Sequence, residues 1–156
     1  MDSEKIIIYG FGNPGRQDDG LGPALISRLE EENIQNIKTE SNYQLNIEDA
    51  LLISEFSTVI FIDASVNCKE PFSYYEIEDV EEFTFTTHSI SPGSVLALCK
   101  KLFGKYVKSF ILEIRGYEWS LAEGLSPMAQ ENFEKAYDFL RNKVNELLTE
   151  EIFNSN

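Results

Sequence analysis

The chain is short of the residues that most often carry chemistry. Its 156 residues include two cysteines, one histidine and one tryptophan. Cys68 and Cys99 lie far apart and form no CxxC, a pattern that does not suggest a disulfide framework or a thiolate metal site. Positive charge is also scarce: 13 Lys and Arg against 27 Asp and Glu leave a formal net charge of −14. With no basic patch to offset it, this acidity argues against nucleic acid or an anionic membrane as the main partner. A basic protein surface or a metal-carrying partner fits better.

No apolar run approaches the length of a bilayer span. The opening Met1-Asp2-Ser3-Glu4 lacks the basic start and apolar stretch of a signal peptide, so a cytoplasmic chain is expected. Repeats, low-complexity tracts and linker-like stretches are absent as well. With 42% apolar residues the chain can build one sizeable core, whereas two domains would leave both thin. A single domain over residues 1–156 is expected.

Short β-rich runs alternate with longer helical stretches, which predicts an α/β/α sandwich around a twisted, mostly parallel sheet of about five strands. Lys5 to Phe11 reads as a buried first strand. Leu21, Ala24, Leu25 and Leu29 then fall at helical spacing, ending near Asn33. A strand near Asn36 to Glu40 and a helix from about Ile47 to Glu55 follow. Thr58 to Asp63 is a central strand that stops at an acid, and Phe72 to Ile77 is an aromatic-rich strand. Ser91-Pro92 and Ser126-Pro127 are helix starts, with Ser as N-cap and Pro at the first helical position. Val95, Leu98, Cys99 and Leu102 form the predicted buried stripe of the first of these helices, which Gly104 ends. Lys108 to Ile114 is the last strand. Phe133, Ala136, Tyr137, Leu140, Val144, Leu147 and Leu148 mark a long amphipathic terminal helix.

The densest signal is the stretch from Gly10 to Gly22. Gly10, Gly12 and Gly15 satisfy GxGxxG after a strand, and Glu40 stands where a ribose-binding acid would close the second strand. A nucleotide- or dinucleotide-binding module built on this loop is one reading. Against it, Asp18 and Asp19 occupy the helix start, where they would compete for the amides and repel the phosphates. Asp18 also suits simple helix capping. Gly20 and Gly22 after Asp19 cost helix stability, which implies that something approaches that backbone closely.

Asp63 ends a buried strand, and ligands of open α/β sheets sit beyond the carboxyl ends of the strands. The alternative for this acid is capping of nearby amides. His88, the lone histidine, lies in the polar segment before the Ser91-Pro92 helix. Two carboxylates and one imidazole, from three βα loops, make an O,O,N set for a divalent transition metal. Other chemistries lack their motifs: there is no GxSxG, no HExxH and no Walker loop. Tyr74, Tyr75, Phe83 and Phe85 read as packing or a strand edge.

These residues resemble the hydrogenase maturation endopeptidases, nickel-dependent processing proteases of [NiFe] hydrogenase large subunits. Gly10-x-Gly-Asn13 with Asp18-Asp19-Gly-x-Gly22 is similar to the family's opening motif, which puts Asp19 at its first metal-ligand position. Val59 to Ala64 resembles the strand that carries the second ligand, Asp63, and His88 resembles the third. Gly124-Leu-Ser-Pro127 is similar to the C-terminal signature. The resemblance implies an endopeptidase that trims the C-terminal extension of a hydrogenase large-subunit precursor after nickel insertion. On that reading Asp19, Asp63 and His88 recognise nickel borne by the substrate, with zinc or cadmium as surrogates, and the protein is a monomer. Where many members have a Gly-rich segment with an Asp after the second strand, Glu40 to Asn46 has no glycine. This segment is expected to shape the substrate groove.

Overall fold

The computed structural model describes residues 4–80 and 90–154. They form a five-stranded sheet in the order β2-β1-β3-β5-β4. Its strands are β1 (Ile6–Phe11), β2 (Ile37–Asn42), β3 (Thr58–Ser65), β4 (Phe72–Ile77) and β5 (Lys108–Arg115). β2, β1, β3 and β5 run parallel, and β4 pairs antiparallel with β5 at the edge. The helices are α1 (Leu21–Glu31), α2 (Glu48–Ile53), α3 (Pro92–Phe103) and α4 (Pro127–Asn154), and a turn of 3-10 helix, Gln17–Gly20, leads into α1.

Strand alternation sorts the apolar side chains onto two faces. Ile6, Ile8, Ile60, Ile62, Leu112 and Ile114 pack against Leu21, Leu25 and Leu29 of α1 and Phe133, Tyr137 and Leu140 of α4. Ile7, Tyr9, Val59, Phe61 and Ile111 face Ala50 and Ile53 of α2 and Val95, Leu98 and Cys99 of α3. Both faces of the central strands are therefore covered, which explains their nearly unbroken apolar runs. This is the three-layer, mostly parallel sheet expected from the sequence.

Helix ends follow local chemistry. Ser91 Oγ accepts the Ser94 N–H at 3.1 Å, Pro92 opens α3, and Gly104 closes it in the left-handed region at φ 62°. Leu102 departs from expectation: it is 58% exposed rather than part of the α3 stripe. Its neighbour α2 is six residues long and packs through Ala50 and Ile53, so among the described residues nothing covers the Leu102 side of the last turn of α3. Tyr74 stacks on Phe110 with centroids 5.4 Å apart, and Tyr75 is an exposed edge residue.

The connection from β1 to β2 passes through α1 on one face, and that from β2 to β3 through α2 on the other. The chain thus departs in opposite directions from β1 and β3. Such a reversal opens a crevice beyond the carboxyl ends of those two strands.

Candidate functional site

The crevice is a cleft of about 460 Å³. Asp19 and Asp63 line it together, one from the turn after β1 and the other from β3, which does not stop at this acid as expected but stays paired with β5 for two residues more, to Ser65. Phe11, Leu45 and Ile90 supply apolar wall, while Tyr43, Gln44 and Ser91 contribute polar groups. The segment after β2 therefore shapes this cleft. His88, the third expected ligand, lies outside the described residues, as do Phe83 and Phe85. Among the described residues no group of three or more His, Cys, Asp or Glu side chains could hold a metal ion.

The turn that presents Asp19 is built by close packing. A Cβ on Gly22 would lie 2.6 Å from the Ile62 carbonyl oxygen and 2.8 Å from that of Phe11. A Cβ on Gly20 would lie 2.8 Å from Pro14 Cα. The close approach foreseen for these glycines is thus the protein's own backbone. Gly12, at φ 145°, has no room for a Cβ beside the Asp19 carbonyl. The Asn13 N–H donates to Asp19 Oδ2 at 2.8 Å and holds that carboxylate in place.

Asp18 and Asp19 have separate tasks, as neighbours on a helical turn that cannot face each other. Asp18 is fully buried. Its Oδ1 accepts the Ser126 N–H at 2.7 Å, and its Oδ2 accepts the Tyr117 N–H, the Glu118 N–H and the Ser126 hydroxyl. Burial alone would raise its pKa, but the bonds from Ser126, Tyr117 and Glu118 outweigh it and hold the carboxyl below its ordinary value. The capping role open to Asp18 in the sequence is replaced by a long-range anchor, since Gly20 is the N-cap of α1. Its partners lie 99 to 108 positions away, and no local signal pairs them.

Asp63 is pushed the other way, up to about 7. Burial is the main cause; the Ala64 N–H, donating to Oδ1 at 2.9 Å, offsets it in part, and the Asp19 and Glu113 charges add to the rise. Among the described residues that line the cleft no cationic side chain is set against the two acids, so ionising both at once is disfavoured. The oxygen donors and their charge therefore fit a divalent metal.

The dinucleotide reading fails on donors. Gly12 N–H bonds the Asn42 carbonyl, Asn13 N–H bonds Asp19, and Gly15 N–H bonds the Asn13 side chain. The N–H groups of Arg16, Gln17, Asp18 and Asp19 are held by the carbonyls of Asn13, Ala122, Glu118 and Arg16. Pro14 has none to give. The loop keeps no amide for a pyrophosphate.

No family model matches the chain. A Methanocaldococcus jannaschii protein described as a "putative hydrogenase maturation protease" is 24% identical over 150 residues, spanning 88% of this chain and 92% of the relative. The hydrogenase maturating endopeptidase HybD of Escherichia coli superposes with a TM-score of 0.71 at 18% identity, over 91% of this chain and 93% of its own. The [NiFe] hydrogenase maturation protease HycI of Thermococcus kodakarensis gives 0.68 at 21% identity, over 88% and 90%. The resemblance read from the sequence is borne out, and the fold is the one these proteins share.

Proposed function

We propose that the protein is an endopeptidase that removes the C-terminal extension of a [NiFe] hydrogenase large-subunit precursor once nickel has been inserted. The observation that carries this reading is the convergence of Asp19 and Asp63 on one cleft at the carboxyl ends of β1 and β3. The similarity to maturation proteases in sequence and fold supports the same activity. His88 completes the proposed set; it stands two positions before Ile90, a cleft residue. On this reading the enzyme works as a cytoplasmic monomer, and its charge of −14 speeds docking on a basic partner surface.

Nickel belongs to the substrate in this scheme, where it polarises the scissile carbonyl or activates water. The chain's own residues receive it. Asp19, oriented by the Asn13 N–H, offers a fixed oxygen donor. Asp63 gives up its proton as the cation neutralises the cleft, so metal capture releases a proton near neutral pH. The cut is thereby tied to a metal-loaded precursor.

The test is a calorimetric titration with Ni²⁺, then Cd²⁺ or Zn²⁺, of the parent and of Asp19→Asn, followed by cleavage of nickel-loaded precursor. One-to-one binding lost in Asp19→Asn, with processing lost alongside, is expected. Binding indifferent to Asp19→Asn moves the metal elsewhere, and an uncut precursor overturns the reading.

A further inference from the structure

We infer that the outer edge of β2 is a docking strand for an extended segment of the substrate polypeptide, which it guides into the cleft. This rests on the endopeptidase reading above. β2 pairs with β1 on one side, and among the described residues no strand pairs with its other side. The Gly12 N–H donates to the Asn42 carbonyl, so Asn42 faces β1. By strand alternation Glu40 and Lys38 also face β1, while the backbone groups of Ile37, Thr39 and Ser41 point outward. The Ser41 N–H is taken by the Glu40 carboxylate at 3.1 Å. Ile37 and Thr39 thus present the outward N–H and C=O pairs that an added strand uses.

Two further features favour a peptide here. A groove of about 400 Å³ borders this edge, lined by Leu29, Glu30, Asn33 and Ile34 from the end of α1 and its following turn, and by Ile37 and Thr39 of β2 itself. Alternate side chains of an added strand would rest on the half-buried Ile34 and Thr39. The carboxyl end of β2 also continues directly into Tyr43, Gln44 and Leu45, which line the cleft that holds Asp19 and Asp63. Thr39 and Tyr43 are four residues apart, about 13 Å of extended chain. A segment laid along β2 therefore leads to the acids within a few residues. Backbone pairing supplies affinity for almost any sequence, and the groove selects at every second position.

The test combines an enzyme variant with a modified substrate. Thr39→Pro deletes an outward N–H while the inward groups of Lys38, Glu40 and Asn42 keep the pairing to β1. With nickel-loaded large-subunit precursor from the same organism, the expected result is a KM raised about tenfold at retained kcat. In parallel, a synthetic peptide spanning the cut is N-methylated one position at a time and used as a competitor of the parent enzyme. Competition should fall at alternate positions only. A parental KM in Thr39→Pro, or a flat methylation scan, overturns the inference while leaving the endopeptidase reading intact. If Thr39→Pro does not fold, the methylation scan on the parent decides. A parent that never cuts the precursor overturns the functional reading, and this inference with it.

Discussion

The hydroxyl of Ser126 donates to Asp18 Oδ2 at 2.6 Å, and the Ser126 N–H donates to Asp18 Oδ1 at 2.7 Å. One residue at the start of the last helix thus satisfies both oxygens of a buried acid that follows the first strand. Asp19, which is next in sequence, lines the cleft instead, its carboxylate held by the Asn13 N–H.

Asp18→Ala should therefore behave as a stability mutant. It strands the donors of Ser126, Tyr117 and Glu118 in a dry setting, at a cost of about 3 kcal/mol or more. Asp19→Asn should leave stability nearly unchanged and abolish metal capture. Urea denaturation beside calorimetric titration separates the two. Because the Asp18 pKa is lowered on folding, its contribution is present above the unfolded carboxyl pKa and is lost as pH falls through the folded value. The acid-side loss of stability should shrink in Asp18→Ala.

The sign reverses at Asp63. Its folded pKa of about 7 lies above the ordinary 3.8, so the native state holds a proton that the unfolded chain has released. Metal-free protein should lose stability as pH rises from about 4 towards 7. Asp63→Asn should remove that loss, gaining on the order of 1–3 kcal/mol at pH 8 while forfeiting metal binding. Thermal melts across pH check the first effect, and titration with Cd²⁺ the second.

The two Ser-Pro helix starts should respond unequally. Ser91→Ala loses one cap bond, to the Ser94 N–H, and should cost about 1 kcal/mol. Ser126→Ala loses its contact to the Ala129 N–H and the strong bond to Asp18, and should cost about 2 kcal/mol or more. Chemical denaturation of both variants gives the comparison.

Gly22→Ala should be severe, about 3 kcal/mol or more, because its Cβ would meet the Ile62 and Phe11 carbonyls within 2.8 Å. Gly104→Ala meets no atom of the described residues within 4 Å and carries the strain of φ 62°, about 1 kcal/mol. Circular dichroism melts should rank them in that order.

What the sequence showed and what it hid follow the range of the forces involved. Caps at Ser91 and Ser126, the stop at Gly104 and the buried runs read at Lys5 to Phe11 and Thr58 to Asp63 depend on neighbours within a few residues, so pattern and propensity reveal them; the continuation of β3 to Ser65 rests on pairing with β5 and was not legible. The placement of Asp19 and Asp63 followed from strand ends and topology. The anchor at Asp18 could not be read, because its partners are set by tertiary packing alone. Leu102 misled for a similar reason: helical spacing says which face it shares, and only the length of α2 says whether that face is covered.

The tie between Asp18 and Ser126 also orders events during synthesis. A chain emerging from the ribosome exposes its first acid pair more than a hundred residues before Ser126 appears. Until then the turn that carries Asp19 lacks its far support. The turn behind the cleft is therefore secured only as the last helix begins to leave the tunnel.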